Sequence, residues 1–139
     1  MTQAGRTKLA VGDAAECSKT IGEHDVYAYA GLTGDFNPVH VDEVAAGRSR
    51  FGTRVAHGML AAGLFSAILG TKLPGPGTIY LGQELRFVAP VRFGDTVTAR
   101  VEVLELRADK PIAVLRTRAV NQRGETVIEG KATVLLPEG

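Results

Sequence analysis

The sequence predicts an α+β fold in which a curled antiparallel sheet wraps one buried helix, and three observations carry that prediction. The run Met59 to Leu69 is apolar on every side except at Ser66, and a helix without a polar stripe has to be covered on nearly all faces. After Thr78 the chain changes to alternation: Val97, Ala99, Val101 and Val103 fall on one side and Thr98, Arg100 and Glu102 on the other, as in a half-buried antiparallel strand. The 139 residues contain no internal repeat and form a single domain, residues 1–139, long enough to bury a core without staples. The helix and the apolar face of the sheet must then cover each other, which is the hot-dog arrangement.

The elements follow in order. Residues 1–8 are polar and expected to be loose. Glu16 to Ile21 reads as a short strand. A helix runs from Glu23 to about Gly31, with Glu23 and Asp25 in its first turn, where the helix dipole favours acids. Val26, Tyr29 and Ala30 share one face of it. Asp35 to His40 is a loop, because Asn37-Pro38 is a turn signal and the residue before a proline is pushed out of the helical region. Asp42 to Ala46 is a short helical turn, and residues 47–54 are polar and irregular. The apolar helix comes next, with Gly70 as its C-cap. Leu73 to Gly77 is a rigid Pro- and Gly-rich connector. Four strands complete the chain: Thr78 to Val88, Asp95 to Leu106, Pro111 to Asn121 and Thr126 to Leu136, the last two joined by a hairpin turn at Gln122 to Glu125. A curled sheet keeps open edges that a like sheet can pair, so a homodimer is the expected assembly.

Composition narrows the function. Sixteen basic residues balance fifteen acidic ones without a basic run, which argues against a nucleic-acid partner. The longest apolar run is far shorter than the ~20 residues of a membrane span, and Met1 to Asp13 holds no apolar core of signal-peptide length. Cys17 is the one cysteine; it excludes an internal disulfide, and nothing beside it marks it as a nucleophile. A cytoplasmic protein is expected, with neither a nucleic-acid nor a membrane partner.

Three features carry candidate chemistry. Asp35 and His40 stand five residues apart across a proline-stiffened turn braced by Asn37; together they can hold and deprotonate a water molecule, or else Asp35 caps a turn and His40 is an ordinary polar residue. His57-Gly58 opens the apolar helix, where free N–H groups stabilise negative charge. Gly58 has no side chain, so a carbonyl oxygen can approach its N–H as in an oxyanion hole; the alternative is that His57 caps the helix and Gly58 eases the turn. Ser66 either bonds back to its own helix or supports Asp35 and His40. His24, His40 and His57 are too dispersed along the chain, and too short of paired acids, to predict a metal site. Arg48, Arg50 and Arg54 lie near the site in sequence, to meet phosphates or to be solvated.

Tyr29 to His40 (Tyr-Ala-Gly-Leu-Thr-Gly-Asp-Phe-Asn-Pro-Val-His), followed after five residues by Ala46, resembles the hydratase 2 motif of the MaoC-like family. Val55-Ala56-His57-Gly58-Met59-Leu60, Ile79 to Gln83, Gly94 to Val97 and Asp109 to Ala113 resemble landmarks of its single-domain (R)-specific enoyl-CoA hydratases, which feed polyhydroxyalkanoate synthesis. The resemblance extends over about Leu9 to Leu136. It implies a hot-dog homodimer acting on trans-2-enoyl-CoA, with no cofactor because the CoA thioester is itself the substrate. Asp35 and His40 would be the catalytic pair, the Gly58 N–H would bind the thioester oxygen, and Ser66 matches a position that would support the pair; Asn37 and His57 are further candidate supporting residues. Rival readings are an acyl-CoA thioesterase, a 3-hydroxyacyl-acyl-carrier-protein dehydratase and a non-catalytic acyl-CoA binding module.

Overall fold

The computed structural model describes residues 8–138; the expected loose start lies outside these, Lys8 apart. The chain order is β1 (Ala14–Thr20), α1 (Glu23–Thr33), α2 (Pro38–Val41), α3 (Glu43–Gly47), α4 (Gly58–Thr71), β2 (Ile79–Phe87), β3 (Thr96–Leu106), β4 (Ile112–Val120) and β5 (Thr126–Leu135). The five strands form one sheet, ordered β1-β3-β4-β5-β2, and every pairing is antiparallel. The hot-dog fold expected from the sequence is the fold observed. No helix among the described residues is long and apolar enough to cross a membrane.

Burial follows the predicted alternation. Val97, Ala99, Val101 and Val103 of β3 are buried, as are Ala113, Leu115 and Ala119 of β4 and Val127, Ala132 and Val134 of β5. Against them α4 places Ala61, Ala62, Phe65, Ile68 and Leu69. Cys17 packs on the same cluster from β1.

Three expectations need correction. The α4 helix is not buried all round: Met59, Gly63, Ser66 and Ala67 are exposed in the single chain, because the sheet covers one side of the helix only. Nor does Gly70 end that helix, which runs on through Thr71 and is closed by the Lys72 N–H donating to the Ile68 carbonyl. Thirdly, the Asp35 to His40 segment is loop only in its first half, since Pro38–Val41 forms the helical turn α2.

The two edges of the sheet differ. On β1, Glu16, Ser18, Lys19 and Thr20 face water. On β2, by contrast, Ile79, Leu81 and Phe87 are each more than half exposed, at 54%, 52% and 53%, and Leu81 and Leu85 line one cavity with Met59, Gly63 and Ser66 on the open face of α4.

Candidate active site

Local turn chemistry shapes the loop that carries Asp35 and His40. Gly34 closes α1 at φ +80°, donating its N–H to the Ala30 carbonyl at 2.8 Å; a side chain there would be strained. Asp35 Oδ1 then accepts the Asn37 N–H at 3.2 Å, which folds the carboxylate against its own loop. Asn37 is the N-cap of α2, with Oδ1 accepting the Val39 N–H at 3.4 Å. Pro38 takes the first helical position, where a missing N–H costs nothing. That turn is what presents His40.

His40 Nδ1 lies 2.7 Å from the carbonyl oxygen of Val55. A carbonyl only accepts, so Nδ1 carries the proton and Nε2 offers a lone pair. The Val55 N–H donates to Val39 O at 3.0 Å and the Ala56 N–H to Val91 O at 2.8 Å. The strip from Val55 to His57 therefore fastens the loop to the body of the fold.

His57 occupies the N-cap position of α4, yet its side chain makes no capping bond. It turns toward the loop instead, with Nε2 3.0 Å from the Asp35 carbonyl oxygen. Its ring stacks on His40, with centroids 3.9 Å apart and planes 29° apart, and meets Tyr29 at 4.6 Å. The Asp35 carboxylate and one ring nitrogen each of His40 and His57 lie within 4.8 Å of one another. The histidines are thus not all dispersed: the fold joins two that the sequence separates. This donor set is the one group that could hold a metal among the described residues.

Gly58 is the first residue of α4, where the N–H has no intrahelical acceptor and the helix dipole is positive. A Cβ on Gly58 would lie 2.6 Å from Cδ1 and Cε1 of Phe87, so the glycine is required for the ring to lie where it does. Asp35, His40, His57, Gly58, Arg50 and Phe87 line one cavity of about 550 Å³.

Ser66 does not join them. It is exposed and lines a different cavity, also about 550 Å³, with Met59, Tyr80, Gln83 and Leu85. Eight residues of helix separate Ser66 from Gly58, roughly 12 Å of rise. The arginines also separate. Arg54 is committed to structure: it pairs with Glu23 at 2.8 Å and Glu43 at 3.0 Å, bonds the Tyr27 hydroxyl and stacks over Phe93. The Thr53 hydroxyl and Arg54 hold the Glu43 carboxyl below its ordinary value. Arg50 lines the cavity of Asp35 and forms no ion pair among the described residues.

Sequence reasoning missed Phe87, the Arg54 brace and a polar chain in the second cavity, where Gln83 Nε2 donates to the buried Thr117 hydroxyl at 2.9 Å and Gln83 Oε1 accepts from Tyr80. The Phe87–Gly58 contact, the Arg54 brace and the Gln83–Thr117 bond join residues distant in sequence, so no local spacing signals them; Tyr80 and Gln83 are three residues apart. A broader depression of about 710 Å³ lies elsewhere, on the sheet, where charged side chains such as Arg86, Arg116, Glu129 and Lys131 alternate in sign.

Known proteins resemble this chain along nearly its whole length. The family model described as "MaoC like domain" matches residues 8–123. The (R)-specific enoyl-CoA hydratase of Rhodospirillum rubrum is 54% identical over 126 residues, covering 91% of this chain and 87% of that protein. The (R)-specific enoyl-CoA hydratase of Aeromonas caviae is 52% identical over 129 residues, covering 93% and 96%. The solved structure of the (R)-hydratase from A. caviae involved in PHA biosynthesis superposes with a TM-score of 0.90 at 52% identity, covering 93% of this chain and 98% of that one.

Proposed function

The chain belongs to the MaoC-like family, and from that premise we propose that it catalyses the reversible (R)-specific hydration of a trans-2-enoyl-CoA to an (R)-3-hydroxyacyl-CoA, linking fatty acid β-oxidation to polyhydroxyalkanoate synthesis. The observation that carries the reading is the meeting, in one cavity, of the Asp35 carboxylate, the bare Nε2 of His40 and the N–H end of α4 at Gly58.

The thioester oxygen sits at the Gly58 N–H, where negative charge accumulates as water adds to Cβ. Asp35 orients that water through one of its hydrogens. His40 Nε2 takes the other proton as the C–O bond forms, and a proton is returned to Cα on the same face. The sum is one water added, HO at Cβ and H at Cα; the reverse is dehydration. Only water and protons move, so the step calls for no cofactor.

A second copy of the chain completes the assembly by pairing along β2, whose exposed apolar side chains and open backbone contrast with the polar β1 edge. Ser66 lies on the open face of α4, so any support it gives the pair comes across that interface. Light scattering should find twice the 14.7 kDa chain mass.

The test of the reaction is crotonyl-CoA hydration with chiral analysis of the product. Asp35→Asn and His40→Ala should each lose at least ~10²-fold in rate. Near-wild-type rates in both folded variants would overturn the mechanism. Release of free thiol would show a thioesterase, and preference for carrier-protein thioesters would show a carrier-protein dehydratase.

A further inference from the structure

His57 makes two contacts that no helix cap needs. It is 2% exposed, its Nε2 faces the main-chain oxygen of Asp35, and its face lies against the ring of His40. Its Nδ1, moreover, is buried without a hydrogen-bond partner among the described residues. The Asp35 carbonyl only accepts, so Nε2 is the protonated nitrogen and Nδ1 a buried lone pair. A second proton on this ring would be a buried donor with no acceptor, set beside His40, and burial of such a group is costly. These contacts assign the proton-accepting lone pair to His40 and not to His57.

We propose that His57 is a positioning residue for the reaction, one that sets the spacing between the Asp35 carboxylate and His40 Nε2 and seats the His40 ring on a neutral aromatic face. The in-plane donor holds one member of the pair by its backbone, while the ring face holds the other. When His40 takes the proton from water its ring becomes a cation, and the face of an uncharged ring is a favourable place for one. His57 touches neither water nor thioester in this scheme; it acts through the pair. This inference deepens the hydratase reading and rests on it.

Two measurements test it. In the long-range 1H–15N spectrum of the wild-type protein, His57 should show the Nε2–H form and His40 the Nδ1–H form. A His57 protonated at Nδ1, alone or on both nitrogens, overturns the proposal whatever the protein turns out to catalyse, so the two readings fail separately. In crotonyl-CoA hydration, His57→Ala should lower kcat by on the order of 10²-fold, the usual loss when reacting groups are misplaced by about 1 Å, with KM near wild type. His57→Gln, whose amide can still donate to Asp35 O, should recover part of that loss, and His57→Phe, which keeps the ring without the donor, should recover a different part. Placed in a His40→Ala background, His57→Ala should cost much less than in the wild type, because only its hold on Asp35 is then left to lose. Full additivity in that background, or a rise in KM with kcat unchanged, overturns the proposal.

Discussion

Replacing Gly58 by alanine separates the roles of backbone and side chain at the mouth of α4. An added Cβ would meet Cδ1 and Cε1 of Phe87 at 2.6 Å and Cγ at 3.3 Å. Carbon atoms rest at roughly 3.5–4.0 Å, so the ring must retreat by about 1 Å. Phe87 ends the edge strand β2 and is 53% exposed in the single chain, so within one chain the ring has room to swing aside. The stability loss should therefore lie at the low end of overpacking, about 1 kcal/mol. Activity should suffer far more, because the new methyl stands beside the N–H proposed to receive the thioester oxygen; losing one such donor costs ~10²–10³-fold in kcat. The assay pairs thermal unfolding with loss of enoyl-thioester absorbance on crotonyl-CoA. The variant Gly58→Ala/Phe87→Leu adds the decisive comparison, since the smaller side chain relieves the clash without reopening the N–H. Recovered stability with activity still low is the expected result. A folded Gly58→Ala enzyme with wild-type kcat would refute the oxyanion role, and so would full recovery of activity in the double variant.

Gly130 is a stricter case, since a Cβ there would lie 1.8 Å from the backbone oxygen of Glu84; Gly130→Ala should push β2 off β5, cost at least about 3 kcal/mol, and weaken the proposed dimer, as thermal unfolding and light scattering would report. Asp95 is buried and accepts from Gln122 Nε2 at 2.8 Å, the Arg92 N–H at 3.0 Å and Arg123 at 3.4 Å. Burial pushes its carboxyl up, but the bonds from Gln122, Arg92 and Arg123 outweigh that and hold it below the ordinary 3.8. A depressed folded-state value means that the stabilisation is present above the unfolded value and is lost as pH falls through the folded one, so stability should drop below about pH 4. Asp95→Asn should flatten that acid limb and cost about 2 kcal/mol at neutral pH, checked by denaturant melts across pH. Arg50→Ala should raise KM for crotonyl-CoA by up to about 5-fold, the worth of an exposed ion pair, and leave crotonyl-pantetheine, which lacks the nucleotide phosphates, unchanged.

Whatever depends on near neighbours in the chain was legible before folding. The alternation in β3 and β4 marked the buried face, because side chains on a strand alternate strictly. Asn37-Pro38 marked the turn at the pair, although the helical set of Pro38–Val41 was not evident from the turn signal alone. The unbroken apolar character of α4 has two causes that composition does not distinguish: a helix can be apolar because the sheet covers it or because a second chain does, and the sheet of this chain leaves Met59 and Ser66 exposed.

The sequence by itself determined the element order, the helix-in-sheet architecture and the identity of Asp35, His40 and Gly58 as candidates, since turn chemistry, alternation and a motif are all properties of contiguous residues. The tertiary structure alone decided that His57 bridges Asp35 and His40 in place of capping its helix, that Phe87 lies on Gly58, that Arg54 is spent on Glu23 and Glu43 while Arg50 faces the cavity, and that Ser66 faces elsewhere. These contacts join chain segments whose separation in sequence carries no information about their distance in space, and only the packing of the loop, α4 and β2 onto one another sets that distance.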